Sequence, residues 1–280
     1  MEAYLDNAAT TRPCPAAIEA AARMMTDCWG NPSSGHHRGV LAAQALKTAR
    51  DQVARAIGGQ TERVFFTSGG TEADNWAIQS AMQRMGKRGK HIITTAVEHH
   101  AVLEPMAFLE SQGYEVTYLA PRPDGGVALA DFCQALRPDT VLASVMLVNN
   151  ETGAVMPVGQ MAAALHKNRS DAIFHTDAVQ ALGKVPLRAG SLGADLISLS
   201  AHKVHGLKGA GALYIRPGLD LPPYLRGGGQ ESGKRSGYHP DRGKTHRSQF
   251  KDQKPYRQYQ PQICPPDLLC HHKKIKHRIT

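Results

Sequence analysis

The sequence lacks any apolar run of bilayer length. "VLASVMLV" (141–148) is far too short to span a membrane and suits a buried strand. It is also poor in cysteine. Five cysteines, an odd number and widely spaced, argue against a disulfide framework and for a reducing compartment, so a cytoplasmic location is expected. The opening "MEAYLDNAATTRP" has no basic segment followed by an apolar stretch, so no secretory leader is expected. Acidic residues are outnumbered, with a net charge of +9, which would ordinarily raise nucleic acid as a partner. The excess is local, however. Residues 238–280 hold ten Lys/Arg against three Asp/Glu, whereas the first 237 hold 23 against 21. Neither nucleic acid nor a membrane is therefore an expected partner.

What is present is the composition of a globular protein with many tight turns, at 41% hydrophobic residues and 27 glycines. Before residue 60, Pro15–Cys28 and Arg38–Ile57 read as helices, the first opened by a proline. From Val64 onward short apolar runs alternate with helical patterns: "VFFT", "HIITT", "EVTYLA", "VLASVMLV", "AIFHTD" and "LISLS" are separated by stretches such as "TEADNWAIQSAMQRM" and "VGQMAAALHKN". That alternation predicts an α/β fold, a mostly parallel sheet with helices on both faces in an αβα sandwich. Residues 1–15 are set apart as an N-terminal segment, 16–237 as the large domain, and 238–280 as a basic tail. The tail has no apolar periodicity and reads as disordered. Its Cys264, Cys270, His271 and His272 match no common zinc spacing, so no metal site is expected.

"LISLSAHKVHGLKGAGALYI" (196–215) puts Lys203 at the end of an apolar strand. Such a lysine can simply snorkel to solvent, or it can lose its charge and serve as a nucleophile toward an aldehyde. The other strand ends bear on the choice, because ligands of open α/β sheets bind at the carboxyl ends of the strands. "TSGGTEADN" places Gly70 and Thr71 at a helix start, where free N–H groups favour a phosphate, although ordinary capping would look the same. Other strands end in Glu98-His99-His100, in Asn149-Asn150-Glu151, in Asp177 with Gln180 one turn on, and in Ser200, His202 and Lys203. Capping alone does not readily explain five such ends in succession. A phosphate cup, a flat ring, a carboxylate for a ring nitrogen, amide donors and a lysine together fit pyridoxal phosphate.

The motifs "YLDNAATT", "GNPSSGHHRG", "FTSGGTEADN", "VEHHAVL", "VNNETG", "HTDAVQALGK", "SLSAHKVHGLKGAGALY" and "RGGGQESGKRSG" occur in order over residues 4–237. With them the chain resembles the NifS-like cysteine desulfurases of the class-V aminotransferase family, fold-type-I enzymes. The resemblance implies pyridoxal phosphate bound by Gly70, Thr71, His99, Asn150, Asp177, Gln180, Ser200, His202 and Lys203. Lys203 would be the Schiff-base lysine and proton shuttle. His99 would stack on the ring and assist acid–base steps, and Asp177 would pair with the ring nitrogen. Gln180 would meet the ring hydroxyl, Asn150 would meet cofactor and substrate, and Gly70, Thr71, Ser200 and His202 would hold the phosphate. It further implies L-cysteine as substrate, L-alanine and an enzyme persulfide as products, sulfur acceptors or iron–sulfur scaffold proteins as partners, and a homodimer.

The pattern then breaks. Tyr238 stands where the family usually has Thr, and neither Cys264 nor Cys270 lies in the Ser/Gly-rich context of the family's persulfide cysteine. Cys14, Cys28 and Cys133 fall in or beside helical stretches, where cysteine is commonly a small buried hydrophobe. The family's small C-terminal domain is expected to be missing, and the tail to be a frame-shifted continuation, leaving apolar surface uncovered on the first helices and on a strand "AYL". Desulfuration by the chain as written is then expected to be undetectable. Two alternatives stay open: a fragment that binds the cofactor without turnover, or a selenocysteine lyase or other class-V enzyme.

Overall fold

The computed structural model describes residues 3–236. Expectations for 238–280, including Tyr238 and the Cys264/Cys270/His271/His272 group, lie outside the described residues. Two helices, α1 (Pro15–Thr26) and α2 (His37–Ala56), precede the alternating region. That region runs β1 (Val64–Thr67), α3 (Gly70–Met85), β2 (His91–Thr95), α4 (His100–Ser111), β3 (Glu115–Leu119), α5 (Leu129–Ala135), β4 (Thr140–Ser144) and α6 (Val158–Asn168). It closes with β5 (Ile173–Asp177), α7 (Ala189–Leu192), β6 (Leu196–Ser200) and β7 (Gly211–Ile215).

The seven strands form one sheet in the order β1-β7-β6-β5-β4-β2-β3. Only β7 runs against its neighbours β1 and β6; the remaining pairs are parallel. The carboxyl ends of β1, β2, β4, β5 and β6 therefore share one edge. Each face of the sheet carries its own core, as a two-sided parallel sheet requires. Trp76, Ile78, Val102 and Met106 of α3 and α4 pack with Phe65, Ile92 and Leu142 on one side. Ala54, Phe132, Met161 and Leu165 of α2, α5 and α6 pack with Ile93, Phe174 and Ile197 on the other.

Two expectations are corrected. β4 ends at Ser144, not Val148, although the N–H groups of Val145 and Leu147 still donate to His175 O (3.1 Å) and Asp177 O (2.9 Å). The chain thus hugs β5 while turning to deliver the Asn149–Asn150 pair. "AYL" forms no strand, because Leu5 is 90% exposed and gains no packing there, while Tyr4 folds back to donate to Asp6 O and Thr10 O. The expectation of uncovered apolar surface on the first helices agrees with the structure for α1, which buries no residue and leaves Ile18 and Met25 exposed, with Trp29 exposed in the loop that follows. Among the described residues no helix is long and apolar enough to cross a membrane.

The segment 226–236 is held to the body by ion pairs. Glu231 is fully buried and takes both Arg50 nitrogens at 2.7 and 2.9 Å, and the N–H of Phe66 donates to the same carboxylate at 2.9 Å. Arg235 pairs with Glu72 across the start of α3. Removing one member of a buried pair strands the other, at a cost of about 3–5 kcal/mol. Glu231→Ala is accordingly expected to lower the urea midpoint strongly at an unchanged m-value. A loss within the range of a surface substitution would show that the pair contributes nothing.

Candidate functional site

At the shared carboxyl edge lies a cleft of about 550 Å³. The nine residues expected to bind the cofactor all line it, namely Gly70, Thr71, His99, Asn150, Asp177, Gln180, Ser200, His202 and Lys203, whereas Glu98, His100, Asn149 and Glu151 at the same strand ends do not. The topology accounts for this convergence, since each sits within a few residues of a strand end.

The β1–α3 turn and the start of β7 beside it approach too closely for side chains at two glycines. A Cβ on Gly70 would come within 2.8 Å of Val179 Cγ2, and one on Gly211 within 2.7 Å of the Gly69 backbone. α3 starts at Gly70 with no side-chain cap from Gly69, so its first N–H groups face the cleft uncapped by a side chain. Beside them Ser200 Oγ is buried and has no hydrogen-bond partner. A sixteen-residue helix terminus and an orphaned hydroxyl aimed into one cleft fit a phosphate group.

His99 is the N-cap of α4, its Nδ1 accepting from Ala101 N at 3.1 Å, and its exposed ring lines the cleft. Asn149 organises the turn after β4: its Nδ2 donates to Val97 O (2.9 Å), and its Oδ1 accepts from Glu151 N (2.9 Å) and Thr152 N (2.8 Å). That occupation leaves Asn150 as the member of the pair on the cleft wall. Asp177 accepts from Val179 N at 2.8 Å and is nearly buried. Burial first, and then the charge of Asp74, push its carboxyl up to about 7. Lys203 is half-buried, and its Nζ donates to Ala8 O (2.5 Å) and Ala9 O (2.8 Å). Burial, reinforced by Lys184 and opposed by Asp177 and Asp6, holds its pKa below the usual lysine value. A larger neutral fraction makes the amine a better nucleophile.

Sequence reasoning missed Asp6, Ala8, Ala9 and Asp74, all of which line the cleft. The first three belong to a turn stitched to the loop after β6, where Thr11 N donates to His202 O at 2.8 Å and His205 N donates to Thr11 Oγ1 at 2.7 Å. Two of these residues act through carbonyls, which leave no mark in a sequence. Asp74 was findable, because it lies three and four residues after Thr71 and Gly70 on the same helical face. Cysteine needs a correction: Cys14 and Cys133 are exposed and Cys28 is only partly covered. On α5 the neighbouring Phe132 occupies the core side, turning Cys133 outward. None of these three lines the cleft.

Under the cleft, His175 bridges Ser144 (2.8 Å) and Ser198 (2.9 Å), and its Nε2 lies 3.5 Å from Asp74 Oδ1, which has no hydrogen-bond partner. Burial pushes Asp74 up to about 7 and Glu98 up to about 8, and pushes His175 down to about 4. The raised carboxyls take up protons on folding. Their stabilising protonation is complete below about pH 4 and is lost as pH rises through 7 to 8. His175 acts oppositely, but only between about pH 4 and 6.5. Between pH 5.5 and 8.5 Asp74 alone should cost about 2 kcal/mol, or roughly 5 °C of midpoint. Asp74→Asn is therefore expected to flatten the fall in thermal midpoint across that window; an unchanged slope would show that Asp74 is ionised throughout.

The family profile described as "Aminotransferase class-V" matches residues 3–243. The chain is 47% identical over 84% of its length to "Cysteine desulfurase IscS" of Dictyoglomus turgidum, covering 59% of that protein. The solved structure of a "NIFS-LIKE PROTEIN" superposes with a TM-score of 0.82 at 40% identity, over 85% of this chain and 65% of that one. "SspA in complex with cysteine" superposes at 0.80 with 38% identity, over 85% and 69%. The chain thus spans less than two thirds of the length of the curated relatives it matches, 57% to 59% for the first three.

Proposed function

The chain belongs to the class-V aminotransferase family, and on that premise we propose that it uses pyridoxal phosphate to take sulfur from L-cysteine, leaving L-alanine and a persulfide. The observation that carries this reading is the gathering of nine residues from five strand ends around one cleft that holds a half-buried lysine, a buried carboxylate and an orphaned serine hydroxyl. When bound, the cofactor supplies an electron sink for a substrate carbanion. Lys203 would hold the cofactor aldehyde and carry a proton at Nζ. Asp177 would pair with the ring nitrogen, Gln180 would donate to the ring oxygen, and His99 would stack on the ring. Gly70 and Thr71 at the start of α3, with Ser200 and His202, would hold the phosphate, and Asn150 would meet the substrate.

L-Cysteine as substrate draws support from relatives called cysteine desulfurase and from a neighbour solved with cysteine. Sulfur acceptors, among them iron–sulfur scaffold proteins, are proposed as partners, with a homodimer as the assembly and the cytoplasm as the location. Transfer needs a thiol: as a thiolate it forms a bond to the cysteine sulfur, the C–S bond breaks with its electron pair passing to the substrate β-carbon, and that carbon takes up a proton to become the methyl group of alanine. Among the described residues no cysteine lines the cleft. That observation favours a second reading, in which the chain binds the cofactor and activates amino acids without completing sulfur transfer.

Incubation with pyridoxal phosphate in D2O tests both. Both readings predict exchange of the α-proton of L-alanine; alanine formed from L-cysteine together with a persulfide on a cysteine of this chain supports the first, and exchange without either product supports the second. Alanine formed from selenocysteine and not from cysteine would make the chain a selenocysteine lyase. No uptake of cofactor would overturn the proposal.

A further inference from the structure

We infer that Lys184, which lies outside the cleft, is a positioning residue that fixes which end of the Gln180 amide the cleft meets. Lys184 Nζ donates to Gln180 Oε1 at 2.6 Å, while Gln180 Nε2 donates to Ala8 O at 2.8 Å. Gln180 is 7% exposed and lines the cleft. A glutamine amide has two ends of nearly the same shape, and only its partners decide how it sits. An ammonium has three donors and no acceptor, so it can face only the oxygen; a carbonyl can face only the nitrogen. Turning the amide over would set donor against donor at Lys184 and acceptor against acceptor at Ala8. With both contacts in place the NH₂ end is held toward the cleft, and one of its two N–H bonds is left over from Ala8.

The chain is built to bring Lys184 there. After β5 the backbone coils through 178–182, Gly183 takes φ +71°, and the N–H groups of Lys184 and Val185 both return to Ala181 O at 3.0 Å. Lys184 thereby falls one turn beyond Gln180, on its flank. A side chain with a Cβ is strained at that φ, so the position of Lys184 depends on Gly183.

The consequence concerns the charge state of the ligand, and this part rests on the proposed pyridoxal-phosphate reading. A fixed N–H donor selects an oxygen that can accept, best of all an anionic ring oxygen, whereas a reversed amide would repel it. The Lys184 charge acts in the same direction by opposing protonation of Lys203. The charged and titratable groups around Lys203 are Asp6 on the N-terminal turn, Asp74 on α3, Asp177 at the end of β5, Lys184 beyond it, His99 before α4 and His202 beside it.

The test compares the full chain with Lys184→Met, which keeps the stem but no donor or charge, and with Lys184→Arg, which keeps a donor-only cation. The first readout needs no cofactor. The Gln180 side-chain amide resonances, assigned by their loss in Gln180→Leu, should shift and broaden in Lys184→Met and stay near wild type in Lys184→Arg. The second uses added pyridoxal phosphate. Lys184→Met should weaken its binding about 3- to 10-fold and raise the pH at which the visible band titrates by about half a unit, and Lys184→Arg should restore both. If wild type binds the cofactor and Lys184→Met changes neither amide nor band, or if Arg is as damaging as Met, the inference is overturned. If no variant takes up the cofactor, the functional reading fails, and the amide resonances alone decide whether Lys184 orients Gln180.

Discussion

Lys203→Ala is expected to abolish the visible absorbance of the cofactor-loaded chain, its borohydride-fixed adduct and all α-proton exchange, while leaving the fold intact. The side chain is half-buried at the end of β6, so its loss exposes no core. Its ammonium makes two hydrogen bonds to backbone carbonyls of the N-terminal turn, and their loss should cost about 1–3 kcal/mol of stability. The chemical loss is of a different order. Among the described residues no other lysine lines the cleft: Lys184 is committed to Gln180, and Lys208 lies in a neighbouring hollow with Ser68 and Glu72. Without an amine at that point the aldehyde has nothing to bond, and a nucleophile or proton carrier removed from an active site typically costs several orders of magnitude. Phosphate contacts at the start of α3 should survive, so the cofactor should bind more weakly and without the visible band. Persistence of the band in a folded Lys203→Ala variant would refute the role.

Asp177→Asn is expected to slow α-proton exchange with L-alanine by about 10²–10⁴-fold while the phosphate contacts persist. Asp177 sits on the floor of the cleft with its Oδ1 engaged by Val179 N, so the side chain is already oriented. Burial and Asp74 raise its pKa to about 7, and a carboxyl of that strength readily shares its proton with a pyridine nitrogen. A positively charged ring draws electrons from the substrate carbon; an amide offers no negative charge to sustain it. Asparagine preserves the shape and can still accept from Val179 N, so the fold should be undisturbed. An unchanged exchange rate in a variant that still binds the cofactor would rule the role out.

The sheet was legible because its strands are short apolar runs bounded by Gly, Asn and Asp, and because a buried parallel strand has no polar face to blur the pattern. The side chains that line the cleft were legible for a related reason: polar residues such as Asp177 and Lys203 follow apolar strands abruptly. The carbonyls of Ala8 and Ala9 were not, since backbone acceptors carry no residue signature. The extent of β4 was misjudged because Val145–Val148 stays buried and bonds to β5 after its regular ladder ends. "AYL" was misread as a strand because apolarity alone does not provide a partner edge. Lys184 was visible as a residue, but its bond to Gln180 depends on the turn at Gly183.

The most direct test of the account is to mix the full chain with pyridoxal phosphate, reduce it with borohydride, digest it and locate the pyridoxyl group by peptide mass. The account predicts a single modified lysine, Lys203, that is absent without cofactor and outcompeted by no other site at stoichiometric loading. A pyridoxyl group on Lys184 or Lys208, or modification scattered over surface lysines with Lys203 untouched, would contradict it.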